Sequence, residues 1–200
     1  MPIRSTGLLD SLAGGWLMMR RVRVVVHYLS MTSLQHAQLK PERDDLAIIQ
    51  AEIPSPALNR FLYTAVGGAW YWMDRLNWRY SDWQRWLERP GAETWVAYHC
   101  GTPAGFYELQ PKDDARTMNI AYFGLMPQCV GQGFGGVLLS HAVRRAWHGQ
   151  PEQVTVNTCS LDHPHALANY QARGFRIDTE TTETRYLPRR PPGPWPDADV

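Results

Sequence analysis

Gly131, Gly133, Gly135 and Gly136 fall within six residues, directly after the strand-like run from Ile120 to Met126 and directly before Val137, Leu138 and Leu139. A helix that starts on such a corner leaves several backbone N–H groups without intrahelical partners and adds the positive end of its dipole. Main chain alone can then hold a phosphate, and the strand–loop–helix context this requires is present. A tight turn needing positive φ is the plainer reading of any one glycine, but four at this junction point to an anion cradle. The same spacing also satisfies a dinucleotide fingerprint, which should open the first βαβ of a parallel sheet and have an acid ending the next strand.

Other residues could do chemistry. Glu108 lies in Gly105-Phe-Tyr-Glu108-Leu, on a run that reads as a central strand where an acid has no packing reason to be. Two readings are open there: a proton acceptor with a task, or a solvent-facing strand residue. Trp70, Tyr71, Trp72, Trp78, Tyr80, Trp83 and Trp86 crowd one segment. Most such rings form core, while a few could line an apolar or cation-accepting wall. His27, His99 and His141 show no metal-ligand spacing, so no metal is expected.

The elements that must position these residues follow from periodicity and punctuation. Val22, Val24, Val26 and Tyr28 alternate with more polar neighbours as in a half-buried strand. Pro54-Ser55-Pro56 opens a helix over residues 57–66, closed by Gly67-Gly68. Ser81 and Gln84 have the spacing of a capping box ahead of a second helix that Pro90-Gly91 stops. Residues 93–100, 104–109 and 118–126 read as strands joined by short turns, an antiparallel meander. The glycine corner then starts a helix to about His148, and residues 153–158 form a strand parallel to the last meander strand. A last helix is expected to open near Asp162 and end at Gly174, and residues 176–187 read as a final hairpin.

A chain of 200 residues with no composition shift in its middle is expected to form one domain. Residues 1–19 read as a poorly ordered extension and 188–200 as a loose Pro-rich tail. A formal net charge of +1 offers no single-signed field for nucleic acid or an anionic membrane. Three widely spaced cysteines fit neither a disulfide framework nor a paired zinc motif, and a reducing cytoplasm is the simplest home. A small molecule is the expected partner of a monomer or homodimer.

Leu125-Met-Pro127 followed by the glycine corner, and then Ala166-Leu-Ala-Asn-Tyr170-Gln-Ala-Arg-Gly174-Phe175, resemble the GNAT superfamily of acetyl-CoA-dependent N-acyltransferases. The resemblance covers residues 20–187. It implies a single α/β domain of the α+β type, with a mixed, mostly antiparallel sheet whose central parallel βαβ pair splays to hold acyl-CoA. By that resemblance Leu125 lies beside the pantetheine and a main-chain N–H near it serves the oxyanion. Val130, Gly131, Gly133, Gly135 and Gly136 supply N–H donors to the pyrophosphate, and His163 stands where many relatives have a cofactor-contacting asparagine. Val130 occupies a place usually held by Arg or Gln. Tyr170 matches the phenol that protonates the leaving thiolate, Glu108 is the candidate base, and Tyr122 and Trp72 face the acceptor. The implied reaction is direct attack of a small primary amine, with an apolar or aromatic part, on acetyl-CoA without a metal.

Overall fold

The computed structural model describes residues 19–114 and 116–194 of the chain. The strands are β1 (Met19–Met31), β2 (Ala47–Gln50), β3 (Glu93–His99), β4 (Thr102–Pro111), β5 (Thr117–Leu125), β6 (Gln153–Cys159) and β7 (Arg176–Pro188). The helices are α1 (Pro56–Gly67), α2 (Tyr80–Leu87), α3 (Phe134–Trp147) and α4 (Ala166–Gln171). The seven strands form one sheet in the order β2-β3-β4-β5-β6-β1-β7. Only β5 and β6 pair in parallel, and α3 makes the crossover between them. The meander of β3, β4 and β5 is antiparallel as the short turns require. A sheet so largely antiparallel does not offer the consecutive parallel strands on which a dinucleotide fold depends.

Local signals account for the helices. Ser55 caps α1, its hydroxyl accepting from the Leu58 N–H at 3.3 Å, and Pro56 supplies a pre-set φ. Asn59, Leu62, Tyr63 and Val66 then recur at helical spacing and are buried. Helix α2 begins one residue before Ser81, and its first turn is closed by the Arg79 N–H donating to the Asp82 carboxylate at 3.0 Å. The expected Ser81 and Gln84 box is therefore replaced by an acid at the third helical position, which the dipole favours. Helix α4 is shorter than expected and starts at Ala166. Asp162 does not cap it but turns back to β6, accepting from the Thr158 hydroxyl at 2.7 Å and the Cys159 N–H at 2.9 Å.

Helices cover both faces of the sheet. On β4, Glu108 meets Asn59 of α1 while the next residue back, Tyr107, meets His141 of α3. Alternate side chains thus point to opposite helical layers, so β4 is buried almost continuously. Phe106, Leu109, Ile120, Phe134, Leu138 and Leu139 are among the largest fully buried side chains of the core, and Val143 and Val154 pack with them.

The ends of the chain depart most from expectation. β2, unforeseen because its four residues sit in polar sequence, adds an edge to β3. Residues 176–188 form one strand and not a hairpin, and its partner is β1 at the other end of the chain. β1 lies between β6 and β7, antiparallel to both. The expected extension over residues 1–19 lies outside the described residues except for Met19, which belongs to β1. The first residues of the Pro-rich segment lie against α1, where the Gly193 N–H donates to the Gly68 carbonyl at 3.1 Å.

Candidate active site

The cleft begins where the parallel pair stops pairing. β5 and β6 are in register from Thr117 and Gln153 to Ile120 and Val156, and no further. β5 nevertheless runs on to Leu125, still paired to β4, and β6 runs on to Cys159, still paired to β1. A register shift between Glu108 and Leu109, opposite Tyr122 and Ile120, leaves Ala121 as an extra residue and bends β5 away from β6. The space between them is about 660 Å³, within the usual range for a small-molecule site.

One end of this cleft is the glycine corner. Gly133 caps α3 with φ of +81°, in the left-handed region that other residues enter only at a cost. Val130, Gly131, Gly133, Gly135 and Gly136 all line the space, as do Leu125 on β5 and His163 ahead of α4. A Cβ at Gly135 would meet Leu125 and Asn169 at 3.6 and 3.8 Å, so side chains here would narrow the approach to the α3 amides. The geometry fits a phosphate held by main chain, and the residues present therefore fit the coenzyme's pyrophosphate. Cations also stand close: the Arg43 guanidinium donates to the Gln132 carbonyl at 2.9 Å and lies over the Phe134 ring.

Tyr170, on α4, lines the same cleft. It is 5% exposed and its ring packs edge-on against Phe123 and Phe175. Burial, with a smaller contribution from the Asp162 carboxylate, raises its phenol well above the ordinary tyrosine range. Trp72 and Tyr122 line the cleft beyond it, 4.9 Å apart between ring centroids. Burial pushes the Tyr122 phenol up to about 12.

Glu108 does not line the cleft. It is 1% exposed, and its oxygens accept from Asn59 Nδ2 at 2.9 Å, Arg75 Nη1 at 2.9 Å and Trp86 Nε1 at 3.0 Å. The carboxylate is held in place by its charge partner and by two further donors. The residue expected as a base thus lies outside the cleft lining. The aromatic segment is likewise divided. Trp78, Trp83, Trp86 and Tyr122 surround the Arg75 guanidinium at 4.1 to 5.3 Å, so the cation they accept is the chain's own. Trp70, Tyr71 and Trp72 are the rings that face the cleft.

Asn169, Asp162 and Asp74 are among the cleft residues that the sequence did not single out. Asn169 donates to the Gly135 carbonyl at 3.4 Å, and its place just before Tyr170 was the available signal. Asp162 was read only as a cap. Asp74 is exposed on the cleft wall beside the tryptophans, and nothing in its local sequence distinguishes it. Among the described residues no group of three or more His, Cys, Asp or Glu is arranged to hold a metal, and no helix is long and apolar enough to cross a membrane.

Comparison with known proteins agrees with this geometry. Among curated proteins none matches the sequence. Solved structures do: a GCN5-related N-acetyltransferase from Sphaerobacter thermophilus is 16% identical with a TM-score of 0.63, covering 94% of this chain and 59% of that one. A GCN5-related N-acetyltransferase from Kribbella flavida is 14% identical with a TM-score of 0.58, covering 93% and 65%. An aminoglycoside acetyltransferase from an uncultured soil metagenomic sample is 16% identical with a TM-score of 0.53, covering 65% and 88%. The chain thus spans about three fifths of the longer proteins, and at these identities the likeness is one of fold. The model of the acetyltransferase (GNAT) family matches residues 57–175. Because that segment carries α1, the meander, the glycine corner and Tyr170, and makes up more than half of the sequence, the chain belongs to the GNAT family of acetyltransferases.

Proposed function

We propose that this protein moves an acetyl group from acetyl-CoA to the primary amine of a small molecule with an apolar or aromatic part. The observation that carries the reading is the parting of β5 from β6 after Ile120 and Val156, with the glycine corner at one end and Tyr170 in the wall. When bound, the coenzyme supplies an activated thioester. The Val130, Gly131, Gly133, Gly135 and Gly136 backbone holds its phosphates at the start of α3, and His163 lies alongside. The free edge of β5, from Ala121 to Leu125, is the surface available to the pantetheine arm.

The acceptor ammonium first gives up a proton to solvent, and the neutral amine then attacks the thioester carbonyl carbon, forming the C–N bond. A main-chain N–H near Leu125 stabilises the charge that develops on the carbonyl oxygen, an effect worth about 3 kcal/mol for one good donor. As the C–S bond breaks, the electron pair stays on sulfur and Tyr170 donates its proton there. Its raised pKa keeps that proton in place at neutral pH. The nitrogen loses its extra proton to solvent in the open cleft, and Tyr170 regains a proton from solvent to complete the cycle. Trp72 and Tyr122 flank the acceptor.

Thermal-shift titration with acetyl-CoA, longer acyl-CoAs, NAD and FAD tests the first half. Saturation at a hundredfold excess over Kd should stabilise the fold by about 2.7 kcal/mol. A shift with NAD and none with any CoA would overturn the reading. Thiol release across an amine library tests the second half, and binding without release on any amine would instead mark a non-catalytic acyl-CoA module.

A further inference from the structure

Asp74 and Arg75 are neighbours in sequence with opposite environments. Arg75 is 2% exposed, paired to Glu108 at 2.9 Å and enclosed by aromatic rings, and its N–H donates to the Tyr63 hydroxyl at 3.2 Å. Removing one partner of such a buried pair strands a charge, so this stretch between α1 and α2 is firmly anchored. Asp74 is exposed on the cleft wall, with Trp70, Tyr71 and Trp72 alongside. It stands near enough to Tyr122 and Arg185 for its charge to act on both.

The other carboxylate and the guanidinium that line the cleft are already engaged. Asp162 accepts from Thr158, Cys159 and Trp72, the last at 3.4 Å. Arg185, on the β7 side of the wall, is paired with Glu183. His163 Nδ1 accepts from the His165 N–H at 3.1 Å. Among the described residues Asp74 alone brings to the cleft a carboxylate without a protein partner. An exposed carboxylate bordered by apolar rings suits a ligand with a positive head and an apolar stem.

We infer that Asp74 binds the protonated head of the acceptor, so that the cleft selects aliphatic amines that are cationic in solution, their stems lying against Trp70 and Trp72. This rests on the acceptor reading given above, and it names the residue and charge state by which the acceptor is chosen. Equilibrium titrations with 2-phenylethylamine and its neutral counterpart 2-phenylethanol, with and without coenzyme A, test it on wild type and on Asp74→Asn. The amine is expected to bind wild type about tenfold or more tightly than the alcohol, as a charge-assisted hydrogen bond allows. Asp74→Asn should lose that preference while changing alcohol affinity less than about twofold, the uncertainty of such neutral contacts. Equal affinity of wild type for the two compounds, no measurable binding of either, a preference that survives in Asp74→Asn, or equal weakening of both would each overturn the inference. A coenzyme A titration of the same two proteins separates this from the acetyl-transfer reading. Loss of coenzyme binding in wild type sinks that reading, whereas unchanged coenzyme affinity with no amine preference sinks only the role of Asp74.

Discussion

Tyr170 and Glu108 show how burial acts in opposite ways on two candidate groups. Tyr170 is enclosed by Phe123 and Phe175 yet faces the cleft, and desolvation raises its pKa because the phenolate is disfavoured. A proton donor must be protonated, so a raised pKa extends its working range upward. Activity should therefore climb with pH as the acceptor amine loses its proton, with no decline from Tyr170 below about pH 10, the ordinary tyrosine value. Replacing it by phenylalanine is expected to lower kcat by about a hundredfold, the low end for general acid catalysis, and to leave coenzyme affinity within about twofold. Single-turnover kinetics beside coenzyme titration check this, and an unchanged kcat removes Tyr170 as the acid. Glu108 was conspicuous in the sequence as an acid on a central strand, but its partner Arg75 lies 33 residues away and could not be foreseen. Glu108→Ala should cost about 3–5 kcal/mol in urea denaturation because Arg75 is left buried and unpaired. A variant of wild-type stability with no activity would instead mark Glu108 as a base.

At the scale of elements, what was legible is what local chemistry dictates. The meander, the glycine corner and α3 were readable because turn residues and helical stripes sit in consecutive sequence. β2 was not, since four residues carry too little pattern, and the expected hairpin in residues 176–187 was not formed because β1 competes for that edge. The cleft residues read from the glycine corner and from the Tyr170 motif line one space, whereas Asp74 joins them only through a fold contact. The motif's Gly174 has a packing reason: its φ is +100°, and a Cβ would stand 2.2 Å from the His36 carbonyl oxygen. Gly174→Ala must therefore move the turn at Leu34–His36 and should destabilise by about 3 kcal/mol or more, combining strain with overpacking. Gly133→Ala meets no such wall, its nearest neighbour being the Arg43 guanidinium at 3.5 Å. It should cost about 1–2 kcal/mol of left-handed strain and weaken coenzyme binding by shifting the first turn of α3. Paired denaturation and coenzyme titrations separate the two, and a Gly133→Ala protein of unaltered affinity would show that the loop backbone is not the phosphate site.

The whole sheet is closed by the two ends of the described chain, and this sets how stability is distributed. β1 is paired on both sides over Val26–Ser30, by β6 and β7, while Met31 is paired by β6 alone and Met19–Val25 by β7 alone. Val24 and Leu29 are nevertheless fully buried, and Val26 reaches the cleft, so the strand contributes to core and site together. The family match begins at residue 57, which leaves β1 outside the matched segment although the sheet runs through it. If β1 is part of the cooperative unit, its doubly paired half should exchange amide hydrogens only on global unfolding, as the core strands do, while Met19–Arg23 exchange by local opening. Urea denaturation followed by tryptophan fluorescence and by far-UV circular dichroism should then give coincident transitions. Val24→Asp, which buries an unpaired carboxylate at a fully enclosed position, should lower the midpoint for both probes together, by several kcal/mol or to complete unfolding. An early transition confined to β1 and β7, with α3 and β4 still protected from exchange, would instead make the strand pair an appended arm. Coenzyme binding would then survive the melting of β1, because the glycine corner and Tyr170 both lie in the segment that remains folded.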